Sequence, residues 1–368
     1  MKIWIVWLPN VGKSTLFNAL TNSYSAPAEN FPFCTIEPNV GIVDVKDPRI
    51  EKLSEISKTK KIIHANIEFV DIAWLVRWAW KWEWLGNKFL SHIREVDAIV
   101  QVLRYFKDVD VVHVEWEVDP MRDVEIINTE LIFSDLEKID RILPWITKKA
   151  QSTWDKFLKR EVEILEMIQK TLEQNKLAND IVSELSENDL KLIKSYGFLT
   201  IKPFVYAINI GQDDMPNKDD IQQEFEQKIN APVVLVCAKI ESEMMWMEKS
   251  EKLEFISELL SIEDIDHIPT LDDLIVLAFD TVGLMYYFTT WEKETRAWTI
   301  KKWFTAPQAA GVIHTDFERW FIKAEIISYD NFVYFWWWSA AKEKGKVRLE
   351  WKEYVVQDWD IIIFKFNV

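Results

Sequence analysis

The segment Asn10-Val11-Gly12-Lys13-Ser14 follows the short apolar run Lys2-Ile3-Trp4-Ile5-Val6 and precedes a helix-forming stretch from Ser14 to Leu20. Strand, tight loop and helix in that order let successive backbone N–H groups and a helix N-terminus surround a phosphate group. In such a loop Lys13 would reach the β and γ oxygens and Ser14 would ligate Mg²⁺, while Pro9, Asn10, Val11, Gly12 and Thr15 would complete the cradle. The arrangement needs a sheet behind it. Two further runs, Ile67-Glu68-Phe69-Val70-Asp71 and Ala98-Ile99-Val100-Gln101-Val102-Leu103, read as buried strands of that sheet. An α/β fold with a parallel sheet is therefore expected.

At 368 residues the chain is too long for one core, so two or three domains are expected. From about Glu130 to Ser195 the sequence is charged and lacks strand signals. There Trp154, Leu158, Val162, Leu165, Ile168 and Leu172 recur at helical spacing, as in a helical hairpin or coiled coil. Strands resume at Phe204-Val205-Tyr206-Ala207-Ile208 and Val233-Val234-Leu235-Val236, which makes the helical part an insertion. The expected boundaries are 1–130 and 200–280 for the α/β domain, 131–199 for the insertion and 281–368 for a small α+β module.

The net charge of -16 argues against a protein that coats nucleic acid by bulk electrostatics. A local cluster of Lys148, Lys149, Lys156, Lys159 and Arg160 could still touch RNA phosphates, the competing reading being a solvated helix face. Two cysteines, Cys34 and Cys237, lie far apart and suggest neither a disulfide framework nor a zinc site. No charged leader with an apolar core opens the sequence and no apolar run reaches membrane-spanning length, so a cytoplasmic protein without a membrane partner is expected.

Further motifs follow the phosphate loop in order. Thr35 sits in a loop where a second Mg²⁺ ligand belongs, and Asp71 ends a strand and opens Asp71-Ile72-Ala73-Trp74, an Asp-x-x-Gly pattern without its glycine, where it would hold Mg²⁺ through water. Asn209-Ile210-Gly211-Gln212 follows one strand and Cys237-Ala238-Lys239 the next, both at places where a nucleotide base is read. Asn209, Ile210, Gln212, Cys237, Ala238 and Lys239 are therefore the expected base contacts.

With these motifs the sequence resembles the YchF subfamily of Obg-related P-loop NTPases, the Obg-like ATPases, over essentially its whole length. The carriers include Asn30-Phe31-Pro32-Phe33-Cys34-Thr35-Ile36-Glu37-Pro38-Asn39, Asp119-Pro120-Met121-Arg122-Asp123 and Phe304-Thr305-Ala306-Pro307-Gln308-Ala309-Ala310-Gly311. The resemblance implies a P-loop NTPase parallel-sheet domain with a helical coiled-coil insertion and a C-terminal α+β TGS (ubiquitin-like) domain. It further implies ATP hydrolysis with GTP tolerated, and association with the ribosome by a protein expected to be monomeric. Asn10 matches the asparagine that in related NTPases helps hold K⁺ near the phosphates, and with Lys13 it is assigned to catalysis. His113 is a further catalytic candidate near the switches, the competing reading being a satisfied structural histidine. Leu75 stands where many GTPases have a water-orienting glutamine and can neither donate nor accept a hydrogen bond. Gln212 stands where guanine-specific proteins have aspartate, which favours ATP.

The departures from the resemblance share one form. Tryptophan stands at Trp4, Trp7, Trp74, Trp78, Trp80, Trp82, Trp84, Trp116, Trp291, Trp303, Trp320, Trp336, Trp337, Trp351 and Trp359, where the family has glycine, whereas Trp298 looks like an ordinary family tryptophan, and the chain has 20 Trp against 8 Gly. Glycine alone makes up about 7% of a typical soluble protein. A bulky side chain at a position needing positive φ costs roughly 1–2 kcal/mol. Two readings follow: a slow Mg²⁺-dependent ATPase whose cycle switches ribosome binding, or an adaptor that binds nucleotide without hydrolysing it.

Overall fold

A computed structural model describes residues 1–24, 39–71, 94–107, 118–247, 249–260 and 268–367. In chain order the elements used below begin with β1 (Lys2–Trp7), α1 (Lys13–Tyr24), β2 (Asn39–Val45), α2 (Pro48–Ser57), β3 (Ile62–Ile63), β4 (Ala65–Asp71) and β5 (Ala98–Arg104). They continue with α3 (Pro120–Thr153), α4 (Lys156–Glu173), β6 (Phe204–Asn209), β7 (Val233–Val236), β8 (Leu284–Thr290), β9 (Thr295–Lys301), β10 (Phe321–Ser328), β11 (Arg348–Glu350) and β12 (Asp360–Phe366). Two compact units result, one gathering Met1–Ser23 and Glu68–Leu274, the other Ile42–Ile67 and Ile275–Val368.

The first unit is built on a sheet of order β2-β4-β1-β5-β6-β7, in which β1 pairs in parallel with β4 and β5, β5 with β6, and β6 with β7. Strands buried on both faces explain why β5 to β7 read as continuous apolar runs. The chain moves outward from β1 to one side and then, through β5, to the other. The reversal places a crevice at the carboxyl ends of the strands, where ligands of open α/β sheets bind. The expected parallel-sheet α/β architecture is what the chain adopts.

The helical insertion is an antiparallel pair. Asp119 caps α3 by accepting from the N–H groups of Met121 and Arg122, with Pro120 at the first helical position, and Asp155 caps α4 through the N–H of Phe157. Ile132, Ile139 and Ile146 of α3 pack with Ile164, Leu165, Ile168 and Leu172 of α4 in one apolar core. The stripe expected from Leu165 onward is present. Trp154, counted with it, instead occupies the turn between the helices and is exposed, because α3 ends there in a left-handed conformation. Arg160, counted in the basic cluster, is engaged by Asp189 at 2.9 Å and by Glu163 at 3.0 Å, which removes it from any free cationic surface.

At the base of the insertion Asp135 is fully buried and accepts from the N–H groups of Leu199 (3.0 Å) and Thr200 (2.8 Å) and from the Thr200 hydroxyl. Nearby, Lys202 is buried and donates to the carbonyls of Arg94 (2.8 Å) and Val96. Burial pushes the Lys202 ammonium down to about 8 from the usual 10.5. Between those values the unfolded chain binds the proton that the folded chain releases, so stability rises with pH across that window. We expect denaturant midpoints to climb from pH 8 to about pH 10, where buried tyrosines such as Tyr206, raised to about 12, begin to act in the opposite sense. Lys138, pushed down to about 8 by burial as well, contributes to the same climb. Lys202→Met should therefore reduce it without abolishing it, and an equal climb in that variant would remove Lys202 as a source.

The second unit carries a mixed sheet of order β11-β10-β12-β8-β9-β3, with antiparallel β8–β9, β10–β12 and β10–β11 pairs and parallel β12–β8 and β3–β9 pairs. The helix Ala306–Ile313 lies close on this sheet because Ala306, Ala309 and Ala310 present almost no side chain and are fully buried. The Tyr287 hydroxyl donates to the Ala309 carbonyl at 3.0 Å, fixing helix to strand. Among the described residues no helix is long and apolar enough to cross a membrane.

Candidate nucleotide site

β1 ends at Trp7 and α1 begins at Lys13, so Leu8 to Gly12 form the loop between them. Leu8 and Val11 are buried and anchor it, while Pro9 and Asn10 are exposed at its tip. Asn10 and Gly12 both have positive φ, 66° and 87°, so backbone N–H groups can turn toward a common centre. Gly12 has a second reason to lack a side chain, since a Cβ there would lie 2.5 Å from Nδ2 of Asn209. The first turn of α1 carries exposed Ser14 and Thr15, with the Leu16 N–H bonded to the Gly12 carbonyl at 3.0 Å. Phosphates bound at this helix N-terminus would meet both amide donors and the helix dipole.

Asn209, expected as a base contact, is buried and works as a strut. Its Nδ2 donates to the Val11 carbonyl at 2.8 Å and its Oδ1 accepts from the Ala238 N–H at 3.1 Å. One side chain thereby ties the phosphate loop to the loop after β7. Ile210, Cys237 and Ala238 are buried beside it, and burial pushes the Cys237 thiol up. Lys239 is exposed in the next helix. Gln212 opens a short helical turn, and its Nε2 donates to the Glu243 carboxylate at 3.4 Å. Asn209→Ala would leave a buried carbonyl and a buried N–H without partners, at a cost of about 1–3 kcal/mol each at most. We expect that variant to unfold at lower denaturant and to lose nucleotide affinity at least tenfold, read by denaturation and by nucleotide titration; wild-type affinity would show that the strut does not shape the site.

Lys13 and Asp71 meet. The Lys13 Nζ lies 3.1 Å from Oδ2 of Asp71 at the end of β4, and it also lies 4.5 Å from the ring centroid of Trp7. Asp71 is buried, and desolvation raises its pKa in spite of the neighbouring ammonium. Its Oδ1 is buried with no hydrogen-bond partner among the described residues. A carboxylate oxygen that is desolvated, unpartnered and at the mouth of a phosphate loop suits a hard cation with its waters, so Asp71 and the Ser14 hydroxyl fit Mg²⁺. Thr35, His113, Trp74 and Leu75 lie outside the described residues.

Arg104 belongs to this site without having been singled out by sequence. It ends β5, is fully buried, and donates to the carbonyls of Phe106 and Asn10, both at 3.2 Å. The signal available was an arginine closing the buried, mostly apolar run of β5, a place where a cation must find buried acceptors. Glu243, which engages Gln212, offered no comparable signal. The site residues of β1, β4, β5, β6 and β7 all stand at the carboxyl edge of one sheet.

Comparison with known proteins accords with this geometry. Residues 2–133 match the family model MMR_HSR1, described as a 50S ribosome-binding GTPase. Residues 284–367 match YchF-GTPase_C, described as a protein of unknown function (DUF933). The chain is 47% identical over 369 residues to the "Ribosome-binding ATPase YchF" of Bacillus subtilis, covering 99% of this chain and 98% of that one. It is 44% identical to the protein of the same name in Escherichia coli O157:H7, covering 100% and 99%. Among solved structures the Schizosaccharomyces pombe YchF GTPase superposes with a TM-score of 0.82 at 32% identity, covering 99% of this chain and 97% of that one. A GTP-binding protein from Pyrococcus horikoshii, at 19% identity, full coverage of both chains and a TM-score of 0.62, shares the fold.

Proposed function

The chain belongs to the YchF family of P-loop NTPases, and on that premise we propose that it is a Mg²⁺-dependent nucleoside triphosphatase that prefers ATP, tolerates GTP and hydrolyses slowly. Its nucleotide state would govern binding to ribosomal RNA and protein in the cytoplasm, making it a regulator of translation or of the stress response. The observation that carries the reading is the convergence of phosphate loop, Lys13–Asp71 pair and Asn209 strut at one sheet edge.

In this reading Pro9 to Thr15 hold the phosphates, and Lys13 exchanges Asp71 for the β and γ oxygens. Mg²⁺, held by Ser14, Thr35 and Asp71, would supply neutralisation of charge on the phosphate oxygens. Asn209 keeps the two base loops in place, Ile210, Cys237, Ala238 and Lys239 border the base, and Gln212 faces its polar edge. An aspartate at Gln212 could only accept hydrogen bonds from guanine, whereas an amide nitrogen can donate to the acceptor nitrogen of adenine. With Leu75 unable to orient water, Asn10, with K⁺ beside it, and His113 remain the candidates for assisting attack at the γ-phosphate.

One observation favours the second reading, a nucleotide-binding adaptor without turnover. The Trp7 indole, almost entirely buried, sits against Lys13 where the loop would receive the γ-phosphate. Equilibrium titrations with ATP and GTP, together with ribosome co-sedimentation in each nucleotide, test the proposal. ATP should bind more tightly and shift co-sedimentation relative to ADP; GTP binding tenfold tighter would sink the base assignment, and nucleotide-independent co-sedimentation would sink the switch.

A further inference from the structure

Backbone conformation divides the tryptophans into two classes. Six non-glycine residues among those described have positive φ: Asn10, Lys58, Trp154, Asn175, Trp336 and Trp359. Asparagine tolerates the left-handed region because its short polar side chain bonds locally, but an indole does nothing to relieve the clash. Half of the six are nevertheless tryptophan. Trp154 (φ 54°, ψ 19°) and Trp336 (φ 59°, ψ -1°) each follow the last residue of a helix, the position where glycine most often closes one. Trp359 (φ 70°) stands in the turn just before β12. These side chains gain little in return, being 80%, 63% and 45% exposed, whereas tryptophan is on average well buried. Lys159, Lys52 and Arg49 lie over their rings, but an exposed cation–π contact does not exceed the backbone cost beneath it.

Trp7 belongs with them for a different reason. It occupies the first position of the Gly-x-x-x-x-Gly-Lys-Ser spacing, where backbone must close around a phosphate, and its ring covers Lys13. Trp298 is the contrast. It lies within β9, packs partly buried against the core of the second unit, and its Nε1 donates to the Thr289 hydroxyl at 2.9 Å. That is the environment an indole uses well. The composition points the same way, since 8 Gly and 20 Trp together come to about the number of glycines expected alone at roughly 7% of such a chain.

We infer that the polypeptide made by the cell that encodes it carries glycine at residues 7, 154, 336 and 359, because one codon at these positions is decoded there as glycine and not as tryptophan, while Trp298 is encoded by another codon and is tryptophan. The phosphate loop of that polypeptide has both its glycines, and its helices end on glycine. At residues 154, 336 and 359 the inference stands on backbone geometry, and at residue 7 it rests on the reading of Leu8 to Gly12 as a phosphate loop.

Peptide mass spectrometry of the protein isolated from its own cells decides it. The peptides spanning residues 7, 154, 336 and 359 should carry the glycine mass and the peptide spanning residue 298 the tryptophan mass. Tryptophan at the four positions would overturn the inference, and glycine at residue 298 would overturn the division into two classes. A second measurement needs no native source: of chains made with an ordinary code, the variant combining W154G, W336G and W359G should melt at higher temperature than the parent, and W298G should melt lower. A lower melting temperature for the triple variant would contradict the assignment of those positions to glycine.

Discussion

Glycine at Trp7 and Trp74 is expected to raise triphosphate affinity at least tenfold over the unaltered chain. Ten-fold corresponds to about 1.4 kcal/mol, less than the cost of crowding an indole against the group that must reach the γ-phosphate. The Trp7 ring and Asp71 together hold Lys13 on the protein side of the site, so any triphosphate must displace one contact and share space with the other. Trp74 stands at the glycine of the Asp-x-x-Gly pattern, three residues after Asp71, where a backbone N–H serves nucleotide switches. Titration with a fluorescent ATP analogue reads the gain. Turnover should need glycine also at Trp78, Trp80, Trp82 and Trp84, since a segment that must reorder is opposed by the four indoles that remain in it. Equal binding and hydrolysis by the unaltered chain and the six-site variant would show the steric argument to be wrong.

Lys13→Ala is expected to lower turnover by a hundredfold or more in that six-site background. Removing one fixed donor from developing transition-state charge typically costs about 10²–10³ in rate, and Lys13 is the cation carried by the Gly-Lys-Ser motif itself. The same change strands Asp71, a buried carboxylate whose pKa is already raised by desolvation. Some loss of stability should therefore accompany the loss of rate, and thermal denaturation measured beside the phosphate assay separates the two. Lys13→Arg keeps the charge near Asp71 but not the point geometry of an ammonium, so it should recover stability and leave turnover low. Turnover within threefold of the parent in a folded Lys13→Ala chain would remove Lys13 from the chemistry.

What could be read from sequence was whatever depends on neighbours along the chain. The strand, loop and helix around Gly12 followed from an apolar run, the Gly-Lys-Ser motif and a helix-forming stretch in close succession. The long helices of the insertion followed from the helical spacing of residues such as Leu165, Ile168 and Leu172, while their capping by Asp119 and Asp155 is a finding of the structure. What could not be read depends on residues far apart. Asn209 is chemically suited to either a base or a backbone strut, and only folding, which brings Val11 and Ala238 to its two ends, makes it the strut. The residues of α2 and β3 carry no periodicity that says which sheet they join. They gather with the second unit because Arg49 of α2 meets Tyr286 at 3.1 Å and β3 pairs with β9. Trp154 kept helical spacing with its neighbours, yet spacing says nothing about φ, and the left-handed turn at the end of α3 placed it in solvent.

The most direct measurement is steady-state release of phosphate from ATP, with Mg²⁺ and K⁺ present, by the chain bearing glycine at residues 7, 74, 78, 80, 82 and 84, set beside the same chain with Lys13→Ala. An ATPase of the proposed kind releases phosphate slowly but well above the Lys13→Ala background. Tight ATP binding with release no faster than that background would contradict it, and would leave a protein that reads nucleotide without consuming it.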